Sequence, residues 1–201
     1  MPHITLADDL PGITAGFAFR PETAQPMRQL AHILLHTSGQ NSDLSSRDRE
    51  LIATFVSSRN SCFFCQTSHG AAAAHLAGGD AALADAVCTD YRTADISGRL
   101  KALLAIAEAV QIDGKSVTRG LIASAREHGA GDLEIHDTVL IAAAFCMYNR
   151  YVDGLGTWQP REPAMYREMG KRMAEQGYAG HERNRLTLRS PPFAHRSYAS
   201  G

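Results

Sequence analysis

From Glu22 to about Gln176 the apolar residues of this chain recur every three to four positions, and no segment of convincing length alternates apolar with polar side chains. A sheet with one buried face needs that alternation. The expected fold is therefore all-α, a helical bundle forming a single domain over residues 1–201. Pro21, with Leu30, Ile33 and Leu34 at helical spacing, marks a first helix from Glu22 to about Thr37, which "SGQNSD" breaks. Ser45, with Asp48 three positions on, opens a second helix whose buried face is Leu51, Ile52, Phe55 and Val56. A third runs through "CFFCQTSHGAAAAHLA", capped by Asn60 or Ser61 and stopped by Gly78–Gly79. Asp80 caps a short fourth helix to about Asp90. Others are expected at Ser97–Ile112, Val117–His128, Leu133–Tyr151 and about Pro163–Gln176. The segments "RELIATFVSSRNSC" and "HDTVLIAAAFCMYN" echo each other, as a duplicated helical hairpin would. Aligning Glu50 with Asp137 sets Asn149 opposite Cys62. The Arg-, Ser- and Pro-rich tail, about 178–201, is expected to be frayed or an arm on a neighbouring subunit.

Composition narrows the function classes. Twenty Lys and Arg against 21 Asp and Glu leave a net charge of −1, which argues against a nucleic-acid partner. The longest strongly apolar run, Val139 to Tyr148, is too short to span a bilayer. The first thirty residues carry acids and prolines where a secretory leader needs an apolar core. A cytoplasmic protein with no membrane partner is the expectation. Four cysteines in 201 residues fall short of a disulfide scaffold, so a C-x-x-C in this chain points to redox or metal chemistry.

That motif lies in "SSRNSCFFCQTSHG", residues 57–70, within the broader motif region of about 41–125. On one helix Cys62, Cys65 and His69 project within an arc of about 60°, and Cys65 and His69 are an i,i+4 pair. A cap at Asn60 or Ser61 puts both sulfurs in or beside the first turn. There the helix dipole and unpaired amides favour thiolate over thiol. His69 is placed to take the thiol proton. Glu50 stands twelve residues before Cys62, and the "SSRNS" break lets its helix fold back so that the carboxylate orients His69. Zinc on the two thiolates, the imidazole and a carboxylate is a rival reading, as is plain core packing of the cysteines. Cys88 and Cys146 are read as buried, His75 as a surface residue, and His32 with His36 as an exposed helix stripe. Tyr148–Arg150 is read as a capping or interface segment.

The pattern E-x11-C-x2-C-x3-H, with "LPGI" before it and "FCMYNRYVDGLG" after it, resembles the alkylhydroperoxidase D-like proteins of the carboxymuconolactone decarboxylase superfamily, in particular their peroxidase-related branch. The likeness covers roughly residues 10–175. It implies an all-α, oligomeric fold (dimer, trimer or hexamer) and thiol-dependent reduction of hydroperoxides. By the resemblance, Cys65 is the peroxidatic thiol, Cys62 the resolving cysteine, His69 the base and Glu50 the start of a proton relay. The reductant is an external dithiol, and the redox-active pair serves in place of a cofactor or metal. The best-known peroxidases of the family have a histidine immediately before the second cysteine. This chain has Phe64, which removes one relay member and makes the pocket more apolar. A redox-sensing or disulfide-exchange protein, and a non-enzymatic helical oligomer with a zinc site, are the alternatives.

Overall fold

Ser45, Ser97 and Thr118 each accept a hydrogen bond from the backbone N–H three residues on, and each starts a helix. The computed structural model describes residues 1–36 and 42–179. The "SGQNSD" break falls mostly outside them, as does the tail beyond Ala179. The described residues form nine α-helices and one 3-10 turn, with no strand among them, so the fold is all-α. In chain order these are α1 (Ile13–Phe19), α2 (Pro21–Leu35), α3 (Ser46–Arg59), α4 (Phe63–Leu76) and α5 (Ala82–Asp90). There follow α6 (Gly98–Ile112), the 3-10 turn Gly114–Ser116, α7 (Arg119–Glu127), α8 (Asp132–Gly154) and α9 (Pro163–Gln176). The expected helices are present, most with boundaries within about two residues. Helix α1 was not expected.

Helix α3 differs from its sequence reading in a way that shapes the site. Leu51, Ile52, Phe55 and Val56 are fully buried, yet every other residue from Asp48 to Ser57 is buried as well. The helix is enclosed on all sides, and its polar side chains must find partners inside the protein. Arg49 does so through four groups. Its guanidinium donates to Leu44 O (3.0 Å), Leu34 O (2.9 Å), Ser42 Oγ (3.1 Å) and Asp137 Oδ2 (2.7 Å), which ties α2 and α8 to α3.

At the other end of α3, Asn149 Nδ2 donates to Ser57 Oγ (3.0 Å), and Asn60 Nδ2 donates to Asn149 Oδ1 (2.8 Å). Arg49 with Asp137, then Ser57 and Asn60 with Asn149, means that α3 and α8 run side by side in the same direction. The two segments that echo each other in sequence are thus neighbours. Around them Leu100, Leu103, Leu104 and Ile106 of α6 meet Ile141 and Phe145 of α8. Each such side chain contributes about 2 kcal/mol of burial.

Helices α4 and α9 approach closely because Gly170 has no side chain. A Cβ there would lie 2.5 Å from the Ala71 backbone carbon. This contact seats α9 across α4 and brings the chain leaving α9 to the site described next.

Candidate active site

The start of α4 is set by strained backbone rather than by a side-chain cap. Ser61 takes φ 58°, a left-handed conformation rare for a residue with a side chain. The turn reverses the chain after α3, with Ser61 N donating to Ser58 O and Cys62 N to Ser57 O, both at 3.0 Å. The N-cap is therefore Cys62, not Asn60 or Ser61, and its side chain makes no capping bond. Asn60 is instead spent on Asn149 and on Gln111, whose Nε2 donates to Asn60 Oδ1 (2.9 Å). Cys65 is the third residue of the helix.

The reversal folds α3 back on α4, and Glu50 reaches His69. The Glu50 carboxylate is 2% exposed and accepts from His69 Nδ1 at 2.8 Å through Oε2. Its other oxygen accepts from the Tyr178 hydroxyl, which also lies 3.4 Å from His69 Nδ1. Because a carboxylate only accepts, the proton of this pair sits on Nδ1, and Nε2 of a neutral imidazole keeps a free lone pair for a proton. The ring is held edge-on by Phe145 (centroids 4.6 Å apart) and stacked on Tyr178 (5.9 Å, planes 16° apart).

Tyr178 was not singled out from the sequence. It follows Gly177, which ends α9 with φ 67°, and its backbone N–H donates to His32 Nδ1 (3.2 Å). The sequence signal is slight, a Gly stop followed by an aromatic residue. Burial and the Glu50 charge push the Tyr178 hydroxyl well above the ordinary tyrosine range, so it stays a donor.

Cys65 and His69 line one cavity of about 100 Å³, with Phe64, Ser68, Phe145 and Tyr178 among its other walls. Phe64 packs across Gly12, where a Cβ would stand 2.3 Å from the ring; Gly12 holds φ 54°. Cys62 is fully buried and Cys65 is 3% exposed, both among Phe64, Val152 and Tyr166. The sulfurs are free thiols near one another.

Burial reverses the electrostatic expectation. The Cys65 thiol is pushed well above its ordinary range, first by its hydrogen bond to Cys62, then by burial and repulsion from Cys62. A hydrogen bond from Asn149 opposes this, and Asp153 adds to it. The helix terminus does not leave Cys65 ionised at rest.

The remaining candidates fall elsewhere. His75 pairs with Glu175 at the surface (3.3 Å). His32 and His36 are half-buried beneath Gly177 rather than an exposed stripe, with centroids 4.9 Å apart. Asn149 is buried within the α3–α8 network rather than capping a helix or facing a partner. Cys88 and Cys146 are half-buried, not buried. Among the described residues no three or more His, Cys, Asp and Glu side chains gather as a metal site requires. No helix among them is long and apolar enough to cross a membrane.

Comparison with known proteins places this geometry. Residues 21–109 match the carboxymuconolactone decarboxylase family. No curated protein matches the chain. The fold is similar to the alkylhydroperoxidase AhpD core of an uncharacterised peroxidase-related protein from Ralstonia eutropha JMP134, with TM-score 0.69 and 27% identity over 81% of this chain and 82% of that one. An uncharacterised peroxidase-related protein from Silicibacter sp. TM1040 is equally similar, with TM-score 0.69 and 29% identity over 78% of each chain. A protein of unknown function from Agrobacterium tumefaciens shares the fold at 21% identity and TM-score 0.61, over 73% of this chain and 97% of that one. The chain is thus similar in fold to these peroxidase-related proteins, and its residues 21–109 carry the match to the carboxymuconolactone decarboxylase family.

Proposed function

We propose that this chain is a thiol-dependent peroxidase that reduces alkyl hydroperoxides through Cys62 and Cys65. The observation that carries the reading is the buried Glu50–His69 hydrogen bond at the wall of the cavity that Cys65 lines. A carboxylate holding Nδ1 leaves Nε2 basic, as a general base requires. The relatives described as peroxidase-related support the same reaction class.

In the first step His69 takes the Cys65 thiol proton as the sulfur attacks the outer peroxide oxygen. The O–O bond breaks, Cys65 becomes a sulfenic acid, and the departing alkoxide takes the proton from His69 to leave as an alcohol. The Cys62 sulfur then attacks that of Cys65, the S–O bond breaks, and water leaves with the Cys62 proton. An external dithiol reduces the resulting disulfide and is itself oxidised to a disulfide. Because Cys65 holds its proton at rest, catalysis relies on His69 acting as substrate binds. The sulfur pair carries the electrons, so the scheme needs no resident metal or organic cofactor. A homo-oligomer of two, three or six subunits acting in the cytoplasm, with no nucleic acid or membrane partner, completes the proposal.

Peroxide turnover by Cys65→Ser and Cys62→Ser tests it. The first variant is expected to lose turnover, and the second to stop at a sulfenic acid on Cys65 that a dimedone-type reagent labels. Full turnover by Cys65→Ser overturns the reading.

The protonated Cys65 and the phenylalanine at position 64 favour one alternative, a redox sensor or disulfide-exchange protein with little turnover. One equivalent of peroxide separates the two. Fast loss of two thiols followed by repeated cycles with a dithiol marks the enzyme, whereas slow stoichiometric oxidation marks the sensor.

A further inference from the structure

The cavity at Cys65 shares part of its wall with a second space. Thr14, Arg28, Met169 and Arg172 line it and also line an outer groove of about 590 Å³ between the segment leading into α1 and helix α9. These four residues border both spaces, which makes the stretch they line the candidate passage between them, and two of them are arginines. Apart from them, the groove is largely apolar, with Leu10, Pro11 and Met165, and carries one carboxylate, Glu168.

The Arg28 guanidinium lies 5.0 Å from the Phe17 ring centroid, which fixes it at the passage. Arg172, on α9, makes no ion pair with a carboxylate among the described residues. The inner cavity, about 100 Å³, is smaller than the roughly 150 Å³ space that takes up a benzene ring. An aryl hydroperoxide does not fit there whole. The remainder must lie in the passage beside the guanidiniums and in the apolar groove beyond.

We propose that the substrate of this site is a hydroperoxide carrying a carboxylate a few bonds from the peroxide, with the carboxylate held by Arg28 and Arg172 at the passage between cavity and groove. This rests on the peroxidase reading for the chemistry at Cys65, but the anion site stands on the two arginines alone. A planar guanidinium matches a carboxylate in two parallel hydrogen bonds, which gives orientation as well as attraction. A neutral hydroperoxide enters the same cavity without that hold.

Cumene hydroperoxide and its para-carboxylate derivative form a matched test pair. The expected result is a kcat/KM about tenfold higher for the carboxylate, a preference that falls with added salt and drops to about one in Arg172→Gln and in Arg28→Gln. Equal kcat/KM values for the unmodified protein overturn the proposal, and so does a preference that persists in both variants. Calorimetry with the corresponding unreactive alcohols gives a readout free of turnover. Tighter binding of para-carboxycumyl alcohol than of cumyl alcohol, lost in Arg172→Gln, supports the anion site even if no hydroperoxide is reduced, the outcome in which the peroxidase reading alone fails. Equal binding of the two alcohols overturns the site.

Discussion

Tyr178 donates its hydroxyl proton to the carboxylate of Glu50, 128 positions earlier in the chain, while the second oxygen of that carboxylate holds His69. Glu50 is thus fully engaged at 2% exposure, as a buried carboxylate has to be. The last described residues belong to the same network as the central helix.

Tyr178→Phe keeps the ring that stacks on His69 and removes only the donor. One Glu50 oxygen then lacks its partner, and the carboxylate is freer to turn from the imidazole. Peroxide kinetics should show a fall of about tenfold in kcat/KM, and urea unfolding a loss of about 1–3 kcal/mol. A fall in stability with unchanged kinetics would make Tyr178 a packing residue only.

Glu50→Gln preserves shape but removes the negative charge that fixes the His69 tautomer. The drop expected in kcat is about a hundredfold, the scale of general-base assistance. KM should change little, since Glu50 does not border the space where substrate sits. Steady-state kinetics with an alkyl hydroperoxide checks the split.

Asn149→Ala removes the hydrogen bond that draws the Cys65 thiol downward, leaving unopposed the Cys62 bond and burial that push it up. Iodoacetamide labelling of Cys65, followed by peptide mapping, should shift to higher pH in the variant and slow at neutral pH. The unmodified protein should itself label at Cys65 only above the ordinary thiol range.

Three buried tyrosines give a pH dependence of stability. Burial comes first among the causes that push Tyr91, Tyr148 and Tyr166 up to about 12, with Glu108 adding to the effect at Tyr91. The unfolded chain releases these protons near pH 10. Their contribution is fully present below that value and is lost as pH rises through about 12, because the unfolded state then binds fewer protons. Denaturation midpoints should fall steeply above about pH 10. Phenolate absorbance should appear late in the folded protein and early in urea.

Helix starts were legible because capping chemistry is local: Ser45, Ser97 and Pro163 mark theirs within a few residues. The Glu50–His69 approach was legible because the break at "SSRNS" permits a reversal, which the Ser61 turn performs. Helix α1 escaped notice since seven residues after Gly12 are too few to show a period. Tyr178 escaped, and Asn149 is read from sequence as part of a capping or interface segment, because their partners lie on other helices and nothing beside them in sequence marks the contact. The state of Cys65 was misread for the same reason. Proximity to a helix start is local, whereas the burial supplied by Phe64, Val152 and Tyr166 is tertiary.

The unequal seclusion of the two sulfurs has a kinetic corollary. Cys62 is sealed off entirely, and Cys65 alone borders the opening. An oxidant and an electron donor entering from solvent then queue for one doorway and cannot occupy it together. Velocity plots at several fixed donor concentrations would run parallel, and an excess of either reactant would obstruct the other's turn.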